Sequence, residues 1–176
     1  ANGTVSERLL RLMASRWTRL VLVSLILLGL QTTLLNDMRP FGVMIPVMLL
    51  FAVSAGTIYG SEIGAISGLI IGVMYDCVLS TPLGLASLVF GLAAYTAGLL
   101  PFFVREPTWW TRVITIGMVG ALGEMAFPLA HSMVGFGGRF QPHVVAVVAF
   151  VVVAGMIVAP LLLPVCRWTL KESLVG

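Results

Sequence analysis

Residues 56–76 read GTIYGSEIGAISGLIIGVMYD, in which a glycine stands at every fourth position and an aspartate ends the series. The series consists of Gly56, Gly60, Gly64, Gly68, Gly72 and Asp76. In water, glycine at this density would weaken a helix. In a lipid bilayer, small residues at this spacing let two helix backbones approach closely. The stretch therefore predicts a polytopic membrane protein whose helices pack tightly along this face.

The composition and the apolar runs extend this prediction to the whole chain. Of the 176 residues, 59% are hydrophobic and 10% are charged, whereas soluble domains have roughly 25% charged residues. A membrane-spanning helix needs about 20 mostly apolar residues, and six segments approach that length. The predicted spans are residues 20–35, 41–59, 63–79, 83–104, 111–130 and 143–165. We expect an all-α integral membrane protein with six transmembrane helices.

Three parts follow from these boundaries. We expect a basic cytoplasmic segment at 1–19, a six-helix transmembrane domain at 20–166 and a short cytoplasmic tail at 167–176. Six spans place both termini on one side, and eight of the ten lysine and arginine residues then share that side. The two exceptions are Arg39 and Arg139. By the positive-inside rule the shared side is cytoplasmic, so the predicted topology is N-in/C-in.

The first segment has two interpretations. On a helical wheel, four arginines share one face, and leucine, methionine and tryptophan side chains share the other. The arginines are Arg8, Arg11, Arg16 and Arg19. The pattern is typical of an amphipathic helix lying on the inner leaflet. A basic flank that only fixes the orientation accounts for the same residues, and both interpretations stay open.

Polar residues inside the predicted spans are the candidate site. Asp76 and Glu124 each lie about 13 residues into a span that runs from inside to outside, so both fall at a similar depth in the outer half. Gln31 reaches the same region. Asp76 is also in the last turn of its helix, where the helix dipole disfavours a negative charge. Such a carboxylate needs a compensating partner.

Three roles are open for these carboxylates. They could accept hydrogen bonds from neighbouring backbone or hydroxyl groups, line a cavity open to the outside, or relay protons or ions. We favour the structural role, with the cavity second, because a relay usually needs more ionisable groups than this chain offers. The sequence contains no catalytic motif and no metal-ligand spacing. We therefore expect no enzyme activity, no cofactor and no nucleic-acid partner.

A short motif connects the third and fourth spans. It contains Gly72 and Asp76 at a four-residue spacing, then Leu83-Gly84, then Leu88 and Tyr95. This pattern resembles the signature of the rod shape-determining protein MreD family. Ser80 stands where that family often has a glycine. Within the motif we expect Gly84 to be a helix-packing residue, like the glycines before it, and Tyr95 to be an intramembrane polar residue.

The resemblance implies a fold and a function. MreD-like proteins are similar in fold to the substrate-binding subunits of energy-coupling-factor transporters. The resemblance implies a non-enzymatic scaffold of the cell-wall elongation complex in the bacterial inner (plasma) membrane, which maintains cell shape. The implied partners are MreC, the peptidoglycan polymerase RodA, its class B penicillin-binding partner and MreB. The alternatives are a substrate-capture subunit of a vitamin or metal transporter and, ranked last, a small ion or lipid transporter.

Overall fold

The computed structural model describes residues 7, 15–37, 46–79, 83–133 and 144–170, and within these ranges it contains helices and no strand. The helices are α1 (Arg16–Asp37), α2 (Val47–Tyr59), α3 (Ser61–Leu79), α4 (Leu85–Gly98), α5 (Leu100–Phe103), α6 (Trp109–Met133) and α7 (Val144–Leu170). The short α5 follows α4 after the single residue Leu99. The predicted all-α fold is confirmed for the described residues.

Five of the six predicted spans overlap one helix each, and the span at 83–104 covers both α4 and α5. In the described part of the chain, three helical stretches are long and apolar enough to cross a membrane, namely Ser61–Leu79, Leu85–Phe103 and Val145–Leu170. The helix Val47–Tyr59 is apolar but shorter. Helices able to cross a membrane are thus present, while the number of six spans stays a prediction.

Helix α2 lies at the centre of the bundle. All eleven residues from Val47 to Thr57 are buried, and the helix contacts α1, α3, α4, α6 and α7. A helix that is apolar on every side has no preferred lipid-facing surface, so it is stable where other helices surround it. The remaining helices pack around α2 and expose their outer faces.

Glycines set the distances between α2, α3 and α4. A Cβ atom placed on Gly68 would lie 2.5 Å from the backbone oxygen of Phe90, and one on Gly72 would lie 2.3 Å from the Cα atom of Ser87. Similar clashes would occur at Gly56 and Gly64, which face each other and the backbone of Ala94. These four glycines therefore lie where helix backbones touch, and any larger residue would push the helices apart.

Two of the glycines predicted to pack helices have a different role. Gly60 and Gly84 have φ angles of 92° and 97°, and nothing lies within 4 Å of where their Cβ atoms would be. Gly60 separates α2 from α3, and Gly84 precedes α4. Both fall in turns whose positive φ angles favour glycine. Gly60 also lies at a close contact, because a Cβ on Gly98 would be 2.6 Å from its carbonyl carbon, whereas for Gly84 the helix-packing assignment was wrong.

A second group of small residues joins α6 to α2 and α7. A Cβ on Gly117 would lie 3.0 Å from the Val152 backbone oxygen of α7. Cβ atoms on Gly120 and Gly123 would meet the side chains of Leu50 and Leu49 of α2. Small residues thus bring α6 close to two neighbouring helices at once.

Hydrogen bonds show which helix ends meet. The Tyr59 hydroxyl, at the end of α2, donates to the Arg167 carbonyl oxygen at 2.8 Å. The Arg19 guanidinium, near the start of α1, donates to the Trp168 carbonyl oxygen at 3.1 Å. The start of α1 and the ends of α2 and α7 therefore share one end of the bundle. We refer to it as the α7 end.

We predict that Gly68→Ala lowers the melting temperature of the purified protein, whereas Gly29→Ala does not. The added methyl group at position 68 meets backbone atoms of α4, and such overpacking costs about 1–3 kcal/mol. Nothing lies within 4 Å of the corresponding position at Gly29. The measurement is a thermal melt in detergent. Equal melting temperatures for Gly68→Ala and the wild type would show that the α3–α4 contact is not close.

Candidate functional site

Asp76 binds the first turn of helix α4. Its Oδ2 atom accepts a hydrogen bond from the backbone N–H of Gly84 at 2.9 Å and a longer one from that of Ser87 at 3.3 Å. Its Oδ1 atom accepts from the N–H of Ala86 at 3.2 Å. The side chain is 2% exposed. Asp76 thus acts as an N-terminal cap for a helix that begins nine residues after it.

The turn before α4 explains why another helix supplies the cap. An N-cap residue usually accepts from the second or third N–H of its own helix through a side-chain oxygen. Here the N-cap position is Gly84, which has a left-handed backbone and no side chain. The Asp76 carboxylate occupies the position that an N-cap side chain would fill. Gly72, one helical turn before Asp76, lets the Ser87 backbone approach α3.

The same contact resolves an electrostatic conflict noted in the sequence. Asp76 lies in the last turn of α3, whose dipole is unfavourable for a negative charge. The first turn of α4 carries the opposite end of a helix dipole and three N–H donors. A carboxylate between the two helix ends is therefore stabilised by α4, and the unsatisfied N–H groups of α4 are stabilised by the carboxylate. This geometry matches the structural role proposed from the sequence, in which the carboxylate accepts hydrogen bonds from neighbouring backbone groups.

Gln31 makes an equivalent contact in the preceding pair of helices. Its Oε1 atom, on α1, accepts from the backbone N–H of Met48 at 3.0 Å. Met48 is the second residue of α2. The N-cap residue of α2 is Pro46, which makes no side-chain capping hydrogen bond. Gln31 is 2% exposed. Two of the predicted intramembrane polar residues therefore cap the N-terminus of the next helix in the chain.

Glu124 is the second carboxylate of the predicted site. It lies on α6 and is partly buried. Tyr75 directly precedes Asp76 on α3. The Tyr75 ring packs against Phe90 of α4 with their centroids 5.3 Å apart. The functional role of Glu124 stays a prediction.

The remaining residues of the motif face outward. Tyr95 is 44% exposed and Leu88 is 58% exposed, both on α4, and Leu83 precedes that helix with 82% exposure. Tyr95 therefore does not lie beside Asp76. The motif has an inner part, made of Gly72, Asp76 and Gly84, that builds the α3–α4 junction. Its outer part is available to lipid or to another protein.

An apolar cleft of about 370 Å³ lies beside this outer part, between α4 and α6. Its walls include Leu88 and Leu92 from α4 and Leu122 and Leu129 from α6. One polar residue in the lining, Thr96, donates its hydroxyl to the Ala93 carbonyl oxygen at 2.8 Å. The cleft therefore presents hydrocarbon to an occupant. Neither Asp76 nor Glu124 lines it.

Of the predicted basic surface, two arginines are described. Arg16 lies 5.4 Å from the centroid of the Trp17 ring, and Arg19 lies 5.9 Å from that of Trp168. Arg8 and Arg11 lie outside the described residues, as does most of the segment predicted at 1–19. The tail predicted at 167–176 is described as far as Leu170, and up to that residue it is part of α7.

One comparison with known proteins identifies the family. The family model of the rod shape-determining protein MreD matches residues 13–166. The chain belongs to the MreD family. Neither a curated protein nor a solved structure matches it. Membership gives this MreD-family chain a role in determining rod shape and makes it a membrane protein. The resemblance found in the sequence is confirmed.

Several residues of the site were not singled out from the sequence. Ser87 donates its hydroxyl to the Leu69 carbonyl oxygen at 3.1 Å, which adds a bond between α3 and α4. Gly98 packs against the start of α3, where a Cβ would lie 2.3 Å from the Ser61 nitrogen. Gly117, Gly120 and Gly123 recur every third residue, a signal that a search for four-residue spacing does not detect.

We predict that Asp76→Leu lowers the melting temperature strongly and that Asp76→Asn lowers it less. Leucine leaves three backbone donors of α4 without an acceptor, and each such buried group costs about 1–3 kcal/mol. Asparagine keeps one acceptor oxygen. Cys77→Leu is the matched control, because the neighbouring Cys77 is exposed. If Asp76→Leu and Cys77→Leu melt alike, Asp76 is not a structural cap.

Proposed function

We propose that this MreD-family chain is a non-enzymatic membrane scaffold of the cell-wall elongation complex. In this proposal it binds MreC, RodA, the class B penicillin-binding protein and, across the membrane, MreB. The observation that carries the proposal is the division of the family motif. Its carboxylate is buried and bound to three backbone N–H groups, while its leucines and tyrosine face outward.

This division favours a binding role over a chemical one. A catalytic or ion-relaying carboxylate must exchange protons or contact a substrate. The Asp76 oxygens instead hold the first turn of α4, so a change in their charge would disturb the fold. The buried part of the motif therefore holds the α3–α4 junction in one geometry. The exposed apolar residues of the motif provide a surface for partners.

We propose the α4–α6 cleft as the surface that receives a transmembrane segment of a partner. Its lining is almost entirely apolar, and Leu88 belongs both to the cleft and to the family motif. In a bilayer, helices associate through close packing, because lipid already surrounds their apolar side chains. The cleft is recessed below the surrounding helix surface. A helix seated in it would therefore make more packing contacts than flexible lipid chains would.

The proposed topology is six spans with both termini in the cytoplasm and a fold similar to energy-coupling-factor substrate-binding subunits. The hydrogen bonds of Arg19 and Tyr59 support the topology, because they bring the start of α1 and the end of α2 to the end of α7. Arg16, Arg112 and Arg167 belong to helix ends on that side. An even number of spans accounts for this arrangement.

The transporter alternative receives less support from these contacts. It was motivated by Asp76 and Glu124 at one depth, as ligands in a shared cavity. Asp76 is 2% exposed and its oxygens are occupied by α4. The transporter alternative therefore makes a prediction of its own, which is that ATPase subunits co-purify with the chain.

The test is a mild-detergent purification of the tagged chain from its native membrane, with mass spectrometry of the proteins that accompany it. We expect MreC and the peptidoglycan synthase to co-purify with the wild type. Leu92→Trp fills the cleft and should reduce the recovery of MreC. Ile157→Trp adds the same bulk at an exposed site on α7 outside the cleft and should not. Recovery of ATPase subunits in place of MreC would contradict the scaffold proposal.

We predict that a membrane-impermeant maleimide labels Gly137→Cys but not Glu106→Cys in intact spheroplasts. Residue 137 lies in a predicted external loop, and Glu106 follows α5 on the predicted cytoplasmic side. The background carries Cys77→Ser, because Cys77 is exposed. Permeabilised spheroplasts serve as the control, in which both variants should react. Labelling of Glu106→Cys without permeabilisation would reverse the orientation.

A further inference from the structure

Helix α4 has two sides with different neighbours. One side packs on α3, where the backbone of Ser87 lies against Gly72. The other side forms one wall of the α4–α6 cleft, with residues that include Leu88 and Leu92. Because both sides belong to one rigid helix, the way α4 sits on α3 also determines how its other side meets the cleft.

The opposite wall of the cleft is held by other helices. A Cβ on Gly120 of α6 would meet the Leu50 side chain of α2, and one on Gly117 would meet the Val152 backbone oxygen of α7. These contacts fix α6 on α2 and α7, whereas glycine contacts fix α4 on α3. The separation of the two walls therefore depends on the α3–α4 junction.

Ser87 makes three contacts with α3 at this junction. Its backbone N–H donates to Asp76 Oδ2 at 3.3 Å, and its hydroxyl donates to the Leu69 carbonyl oxygen at 3.1 Å. Its Cα atom would lie 2.3 Å from a Cβ on Gly72. The two acceptors are about two helical turns apart on α3. Bonds to acceptors at two heights restrain the rotation of α4 about its axis as well as its position.

Leu88 follows Ser87 directly and lines the cleft. We propose that Ser87 is a positioning residue for the cleft, which by binding α3 holds the side chains of Leu88 and Leu92 at a fixed separation from α6. Packing contacts weaken steeply when a gap opens between the packed atoms, so a wall that rotates would bind a partner helix less well. The binding of a partner helix rests on the proposed function, whereas the separation of the walls does not.

The first measurement is the distance across the cleft. Spin labels on Leu92→Cys and Leu122→Cys, one on each wall, report it by double electron–electron resonance on the full chain in detergent. Both side chains are more than half exposed, and the background carries Cys77→Ser, because Cys77 is exposed. We expect Ser87→Ala to broaden the distribution of distances. Ser54→Ala is the matched control and should not, because this buried serine donates its hydroxyl within its own helix, α2.

A second pair of variants isolates the hydroxyl group. Ser87→Thr and Ser87→Val have nearly the same shape, and threonine keeps the donor that valine lacks. We expect a narrower distribution for Ser87→Thr than for Ser87→Val. If Ser87→Ala does not fold, this comparison carries the same test.

The second measurement is the recovery of MreC with the unlabelled variants in the purification from native membranes. We expect Ser87→Ala to lower it and Ser54→Ala to leave it unchanged. Distance distributions that are alike in Ser87→Ala and the wild type would overturn the positioning role, as would an equal broadening in Ser54→Ala. A broader distribution with full recovery of MreC would overturn the effect on the partner. A wild type that recovers no MreC would contradict the proposed function, and the distances would still decide the role of Ser87.

Discussion

A helix that begins inside a bilayer must find acceptors for its first backbone N–H groups, because no water is present there to bond them. In this chain α2 and α4 both meet this requirement through a side chain of the helix that precedes them. Gln31 of α1 accepts from α2, and Asp76 of α3 accepts from α4. In each of these helix pairs the first helix therefore caps the second. The buried side chains of Gln31 and Asp76 thus have a structural role.

The Asp76 cap depends on how closely α3 and α4 approach. Gly72 and Gly68 allow backbone contact with the first half of α4, and Gly98 allows it at the far end, beside Ser61. A larger residue at Gly72 would move Ser87, and with it the N–H groups that Asp76 binds. The glycine series and its terminal aspartate therefore act together, and the left-handed turn at Gly84 completes the junction. This explains in physical terms why the motif combines two glycines with one carboxylate.

Much of this fold could be predicted from the sequence, because apolar length determines where helices can lie in a membrane. The close packing at Gly64, Gly68 and Gly72 also follows from their spacing. Gly60 continues the same spacing but occupies a turn. The sequence could not show this, because a four-residue pattern does not reveal the sign of the φ angle.

The partner of Asp76 was equally hidden from the sequence. The place of Asp76 in the last turn of α3 indicates that its charge needs a compensating partner. That this partner is the first turn of α4 could not be inferred, because it depends on the path of the turn between the two helices. Tyr75 was missed because an aromatic residue in an apolar helix usually contributes only packing. Its ring contact with Phe90 depends on how α4 packs against α3.

The central claim is that the Asp76 carboxylate holds the first turn of α4. Amide hydrogen exchange measured by mass spectrometry tests it directly, by comparing Asp76→Leu with the wild type. The account predicts faster exchange in a peptide covering Gly84 to Leu88 and unchanged exchange at the start of α2, which Gln31 caps. Unchanged exchange at Gly84 to Leu88 would contradict it.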